Sequence, residues 1–349
     1  MAEPLLSCSA ADLDSDPNLL GLTNGALELA SCTFRTHRAK DRLTKLAGCG
    51  FEANATAPLF QRFLTEIMDN DLSKIEYLQR LVGYSLSGVR GDHILPIFWG
   101  SGANGKSTFL GVWQALLGDY AGTASPDLLV QTGRNEHPTV LAELQGRRLV
   151  VASESANTAD LNEDRVKWLT GGDLISARRM HQDPFQFSPS HLLVLQTNYV
   201  PRVKGVDEGL WRRLQLVPFG VTISSGRRDS SLKEKLLGEL PGILNWAIAG
   251  WKAYKVHGLA PPPAICAATQ RYRGKNGDVE AYIQESCVLE THAKVSAGDL
   301  YENYTRWCSV METIALTKQA FGRRLTARGM EKYRSSGTHR WRGLKIGRQ

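Results

Sequence analysis

The segment Gly100-Ser101-Gly102-Ala103-Asn104-Gly105-Lys106-Ser107-Thr108 constrains this chain more than any other. An apolar run, Ile94–Trp99, leads into it, and a helical pattern, Thr108–Leu117, leads out. A strand, a glycine-rich loop and a helix at this spacing form a phosphate-binding P-loop. Its glycines let backbone N–H groups turn inward on an anion at the start of the helix. In such a loop Lys106 reaches the β- and γ-phosphates and Ser107 holds a divalent ion, so ATP and Mg²⁺ are the expected cofactors.

At 349 residues, two or three domains are expected. Met1-Ala2-Glu3-Pro4 has no basic start and no following apolar run, so no leader peptide is expected. No stretch reaches the roughly 18 apolar residues of a membrane span. Cys8, Cys32, Cys49, Cys266, Cys287 and Cys308 are scattered and lack a CxxC pair. They read as thiols of a reducing cytoplasm and not as a zinc site. The net charge of +7 is unevenly placed: residues 318–349 hold ten Lys/Arg and one acid, Glu331. The other residues hold 32 basic and 34 acidic side chains. A basic block of this kind suits contact with nucleic acid.

The chain divides into four stretches. Residues 1–90 read as a mostly helical domain after an irregular start, with helices at Pro58–Met68 and Ile75–Leu86. Residues 91–220 alternate strand and helix, with strands expected at Ile94–Trp99, Arg148–Ala152, His191–Gln196 and Leu214–Pro218. Continuous apolar strands suit a parallel sheet covered on both faces, which makes the fold class α/β. Residues 221–285 return to helix and are broken at Ala260-Pro261-Pro262-Pro263. Residues 286–349 offer two capped helices, at Leu300–Met311 and Lys318–Arg328. A basic hairpin follows around Ser335-Ser336-Gly337-Thr338. Two helices and a basic hairpin suggest a winged helix.

Several residues have the chemistry that a P-loop needs downstream. Leu149–Ser153 is a strand that delivers Glu154, the expected general base and, with Ser107, a metal contact directly or through water. Ser153 stands where an aspartate would be a direct ligand. Asn198, after the next strand, fits a sensor of the γ-phosphate. Arg212 and Arg213 precede a further strand, and a fixed guanidinium there can neutralise charge developing on phosphate. Between Glu154 and Asn198 lie Lys167, the turn Gly171-Gly172-Asp173 and a basic segment with Arg178, Arg179 and His181. With Phe185 and Phe187 this segment suits a nucleic-acid backbone. Arg323, Arg324, Arg340 and Arg342 are the DNA-contact candidates in the terminal stretch.

This ordered set resembles the superfamily 3 helicases, in particular the phage and plasmid primase–helicase group with its poxvirus-type members. Gly102–Thr108 is similar to that group's Gly-x-Asn-Gly-Lys-Ser-Thr. Tyr77-Leu78-Gln79-Arg80 and Gly83-Tyr84 resemble its helical region, and Leu300-Tyr301, Tyr304, Trp307 and Phe321 its winged helix. The resemblance implies an AAA+ ATPase core and a homo-oligomeric ring, commonly a hexamer. It implies an ATP-dependent helicase that moves on single-stranded and forked DNA, typically 3′ to 5′, during phage or plasmid replication in a bacterial host cytoplasm. The segment between Glu154 and Asn198 would enter the channel, and one arginine would act across subunits. The resemblance places an arginine immediately before the strand, which favours Arg213 slightly over Arg212. Many relatives carry a primase domain ahead of the helical region, so a separate primase or polymerase is an expected partner. The alternative is an ATP-regulated initiator or loader that binds DNA without processive unwinding. A metabolic P-loop kinase is disfavoured by Arg212-Arg213 and the basic terminal stretch.

Overall fold

A computed structural model describes residues 12–131, 139–153, 160–203, 207–275, 279–310, 315–335 and 337–347. Its first elements depart from the helical expectation. Thr23-Asn24 turns the chain between β1 (Leu19–Leu22) and β2 (Gly25–Glu28), and β3 (Thr33–Arg35) pairs with β2. The result is an antiparallel sheet in the order β1–β2–β3. These strands are three or four residues long, and β1 is buried along its whole length. They are too short for a period of two to show. The two expected helices follow. Proline opens α1 (Pro58–Ile67), and the Asp71 carboxylate caps α2 (Leu72–Ser85) by accepting the Lys74 N–H at 3.2 Å.

The central unit runs β4 (Leu95–Trp99), α3 (Lys106–Leu117), β5 (Ala121–Ala124), α4 (Thr139–Ala142), β6 (Leu149–Ser153), α5 (Glu163–Leu169), β7 (Ile175–Arg178), β8 (Pro184–Phe187), β9 (Leu192–Thr197), α6 (Glu208–Trp211) and β10 (Leu214–Pro218). Five of these strands form a parallel sheet in the order β10–β4–β9–β6–β5, while β7 and β8 make a separate antiparallel hairpin. The four strands expected from apolar runs match β4, β6, β9 and β10 to within one residue at each end. Their apolar character follows from burial on both sides. Phe98, Val151, Val194 and Val217 pack towards α3, with Phe109, Trp113 and Leu116. Leu95, Ile97, Val150, Leu193, Leu195 and Leu216 pack on the opposite face with Val166, Leu169 and Trp211.

Three helices complete the unit: α7 (Leu232–Leu237), α8 (Leu240–His257) and α9 (Pro263–Lys275). The boundaries expected near residues 90 and 220 do not separate cores. One cluster runs from Leu20 through Phe60, Leu81, Phe109 and Phe219 to Trp251 and Ile265. Helices α2 and α8 touch backbone to backbone where they cross. A Cβ on Gly83 would strike the Trp251 amide, and one on Gly250 would strike the Gln79 carbonyl. Gly250→Val should therefore destabilise the chain by about 1–3 kcal/mol, read from the denaturant midpoint.

The remaining unit has a core of its own. It runs α10 (Val279–Ser286), β11 (Cys287–Ser296), α11 (Ala297–Val310), α12 (Lys318–Ala327), β12 (Glu331–Ser335) and β13 (Thr338–Ile346). Its sheet is antiparallel in the order β11–β13–β12. Val279, Tyr282 and Ile283 belong to the same core as Tyr304, Phe321, Trp341 and Leu344, so this unit starts before residue 286. Thr317 caps α12 as expected, accepting the Ala320 N–H at 3.3 Å. The strand β11 was not expected, since five of its ten residues in succession are exposed and leave no apolar alternation to read.

Candidate functional site

The loop between β4 and α3 lies at the carboxyl end of the parallel sheet, where open α/β sheets bind ligands. Its backbone takes left-handed values at Gly102, Ala103 and Gly105, with φ of 102°, 50° and 80°. Two of its glycines are also dictated by space. A Cβ on Gly100 would strike the Asn104 amide and the Phe219 carbonyl, and one on Gly105 would come within 2.5 Å of Ile67 Cγ2. The loop is pinned from one side by the segment after β10. The Asn104 side chain donates to the Phe219 carbonyl at 3.2 Å, and the Ile223 N–H donates to the Ala103 carbonyl at 2.7 Å. Ser101 at the tip is exposed, as are Ser107 at the start of α3 and the end of β6 at Ser153. Thr108 follows Ser107 in the first turn of α3.

Lys106 is buried, and its ammonium donates to the Gly100 carbonyl at 2.6 Å and to Oδ1 of Asn104 and of Asn198 at 3.2 Å each. All three partners are neutral. Burial without a counter-charge pulls the Lys106 ammonium below its ordinary pKa. An arriving anion would relieve that cost, since an opposite charge favours the ionised form. The geometry thus brings together two residues 92 positions apart that sequence alone only set in order.

One polar contact was not anticipated. Gln196 Nε2 donates to the Ser107 hydroxyl at 2.8 Å. Gln196 lies across from Phe98 on β4 and from Ser153 on β6 in the ladder. Paired residues share a face of the sheet, so Gln196 and Ser153 stand on the side of α3. Asn198 is two residues on from Gln196, and side chains at that spacing share a side of a strand. That period would have found Gln196 once Asn198 was chosen. Glu154 lies outside the described residues. Among the described residues no group of three or more His, Cys, Asp or Glu side chains could hold a metal ion. The hydroxyls of Ser107 and Ser153 and the Gln196 amide are neutral groups that a cation could meet at this end of the sheet.

The two arginines before β10 differ in exposure. Arg213 is buried, donates from Nη1 to the Gly209 carbonyl at 2.5 Å, and is held below its ordinary pKa by burial and by Arg212. Arg212 is exposed. Lys167 is not on the basic hairpin. It sits on α5, where it pairs with Asp164 and Asp207 at 2.9 Å each, and these hydrogen bonds raise its pKa to about 12. Lys167 thus already has two carboxylate partners on the exposed side of α5.

Arg178 ends β7, and Arg179, Met180, His181 and Gln182 form an exposed turn with His181 at φ 59°. The Arg178 side chain donates to the Gln182 carbonyl at 2.9 Å and so braces the turn. Arg179 lies 4.9 Å from the Phe185 ring centroid and donates to Gln145 at 2.7 Å. The hairpin therefore projects a basic, partly apolar tip, with Met180 70% exposed. In the last unit, Arg340 and Arg342 share one face of the sheet, across from Tyr333 and Glu331. Arg340 is exposed, whereas Arg342 pairs with Glu331 at 3.0 Å and lies over the Tyr333 ring. Arg323 is exposed on α12, and Arg324 beside it is half-buried.

A P-loop set into a parallel α/β sheet, with polar residues of the adjacent strand against its lysine and serine, defines the class of this fold. The comparisons extend it. Residues 98–213 match a family described as "Family of unknown function (DUF5906)", and residues 1–69 match "D5 N terminal like". "Putative helicase L207/L206" of Acanthamoeba polyphaga mimivirus is 28% identical over 321 residues, covering 85% of this chain and 33% of that protein. "Putative primase C962R" of African swine fever virus (isolate Tick/Malawi/Lil 20-1/1983) is 25% identical over 211 residues, covering 58% of this chain and 22% of that protein. The chain thus spans about a third or less of the length of these relatives. Among solved structures, the apo NrS-1 C terminal region shares the fold with a TM-score of 0.53 at 10% identity, covering 84% of this chain and 77% of that one. The chain is thus similar, over part of their length, to viral proteins named as putative helicases and primases. Among the described residues no helix is long and apolar enough to cross a membrane.

Proposed function

We propose that this chain is an ATP-dependent DNA helicase of superfamily 3 with an AAA+ core, working as a homo-oligomeric ring in phage, plasmid or viral DNA replication. The observation that carries the reading is the Lys106 ammonium held at 3.2 Å from Asn198 at the carboxyl end of the sheet. This contact links a phosphate-binding lysine to the strand that would sense the γ-phosphate. The names borne by the relatives, helicase and primase, support the same reading.

In this scheme Gly100–Thr108 binds the triphosphate and Lys106 neutralises it. Ser107, with Glu154 as a further contact, would hold Mg²⁺, which would supply charge neutralisation there, and Glu154 serves as the general base. Asn198 orients the attacking water. Arg212 is the finger that reaches a neighbouring subunit's nucleotide, because it is exposed where Arg213 is buried. Arg178, Arg179 and His181 face single-stranded DNA in the channel, with translocation 3′ to 5′. The order of elements in the last unit, with α12 ahead of the β12–β13 hairpin, supports a winged helix, and Arg323 and Arg340 are exposed cations on it for DNA phosphates. The protein works in the cytoplasm of the host, alongside a separate or fused primase.

Electron microscopy of the chain with a non-hydrolysable ATP analogue and forked DNA tests the assembly. A closed ring around one strand is expected; monomers under those conditions would remove the ring mechanism. Gln196 provides a second test. Gln196→Ala should raise the Mg²⁺ concentration needed for half-maximal ATP binding several-fold while leaving affinity at saturating Mg²⁺ unchanged. An unaltered Mg²⁺ titration would mean that Gln196 does not position Ser107.

A further inference from the structure

Helix α6 is a single turn, and one turn has almost no helical stability of its own. The groups packed on it therefore set the direction in which the next residue, Arg212, leaves it. Those groups come from α9, which lies along β10: the Thr269 hydroxyl accepts the Leu216 N–H at 2.9 Å. Tyr272 and Arg273 follow Thr269 by three and four residues, so they share its side of α9. The Tyr272 ring meets the Trp211 ring at 72°, with centroids 5.2 Å apart. The Arg273 guanidinium lies 5.9 Å from the Trp211 ring centroid and pairs with Glu208. Glu208 starts α6, and its carbonyl accepts the Arg212 N–H at 3.1 Å. The indole N–H of Trp211 is buried and makes no hydrogen bond among the described residues. Ring contact, not a hydrogen bond, therefore orients that side chain.

Tyr272 is itself fixed from the strand that carries the sensor. Its buried hydroxyl donates to the Pro201 carbonyl at 2.6 Å. Pro201 stands three residues after Asn198, and the Tyr199 N–H donates to the Thr197 hydroxyl at 3.0 Å, which closes a turn around Asn198. One ring thus touches both the segment that follows Asn198 and the residue before Arg212.

We propose that Tyr272 and Arg273 are positioning residues that aim Arg212 at the neighbouring subunit's nucleotide, acting through Trp211 and Glu208. The inference rests on the reading of Arg212 as the finger. A misplacement of about 1 Å in a catalytic group costs on the order of a hundredfold in rate, so a brace on a one-turn helix has a large lever. The half-exposed Arg273–Glu208 pair contributes little to folding, which leaves aim as its main effect.

The test is hydrolysis by the full chain carrying Tyr272→Phe, which keeps the ring and loses the Pro201 bond, or Arg273→Ala, which loses the pair. Each should lower kcat by about tenfold to a hundredfold, with ATP affinity by calorimetry and the thermal midpoint unchanged. Single-turnover hydrolysis in an Arg212→Ala background separates aim from general support. There the two substitutions should cause no further loss, because the group they aim is already gone. Subunits carrying Arg273→Ala, mixed with Lys106→Ala subunits, should recover activity as Arg212→Ala subunits do. Full activity in either variant would overturn that residue's part. A further loss of the same size in the Arg212→Ala background would overturn the positioning role and make α9 a structural support only. If Arg212→Ala itself hydrolyses ATP as the unaltered chain does, the finger reading fails first. If Arg212→Ala is inactive while both α9 variants are fully active, the positioning role fails alone.

Discussion

Lys106→Ala should abolish ATP turnover. The Lys106 ammonium is the one cation within the loop, and it is placed in advance. It is buried, held by Gly100, Asn104 and Asn198, and surrounded by neutral dipoles. A charge set beforehand where negative charge develops contributes more than one in water, because no reorganisation is needed. Losing such a group typically costs about 10²–10³-fold in rate, and here the loss also removes charge balance for the bound phosphates. The chain itself should stay folded, since the Lys106 side chain satisfies carbonyls at the open end of the sheet and does not fill the apolar core. Steady-state phosphate release checks this, with circular dichroism as the folding control. Residual hydrolysis within tenfold of the unaltered chain would remove Lys106 from the mechanism.

Arg212→Ala should lower hydrolysis on the order of 10³-fold or more while ATP still binds. The argument is one of exposure. A guanidinium that completes a neighbour's site must leave its own subunit, and Arg212 is exposed. Arg213 is turned inward to the Gly209 carbonyl, where burial already depresses its ionisation. Arg213→Ala should instead weaken folding, because it removes a buried side chain and leaves the half-buried Gly209 carbonyl without its donor. Mixing separates the roles. Inactive Arg212→Ala subunits combined with inactive Lys106→Ala subunits should recover part of the activity, since some interfaces then pair an intact loop with an intact arginine. No recovery at any ratio would place Arg212 outside the neighbouring site.

These two arginines show where the sequence stops being informative. The P-loop and the four strands around it were legible because their signals are local. Glycines at fixed spacing and unbroken apolar runs leave little choice of conformation. The side on which Arg212 and Arg213 project depends on the short helix α6 and on the pairing of β10 with β4, which are tertiary facts. Lys167 looked like a free cation because Asp207, one of its two partners, lies 40 residues away. The sheet β1–β3 was missed because its strands are too short to reveal a period, and β11 because its residues are mostly exposed. Gln196 was within reach, since it stands two residues before the chosen Asn198, but only the fold shows that Ser107 is its partner. The expected break near residue 90 is absent because Gly83 and Gly250 let α2 and α8 pack backbone to backbone across it.

Strand displacement on a forked duplex tests the central claim most directly. With ATP and Mg²⁺, the unaltered chain should release the labelled strand, whereas Lys106→Ala should release none. Binding of the fork and hydrolysis of ATP by the unaltered chain, with no strand released on forks of either polarity, would contradict the helicase and leave an ATP-regulated initiator or loader.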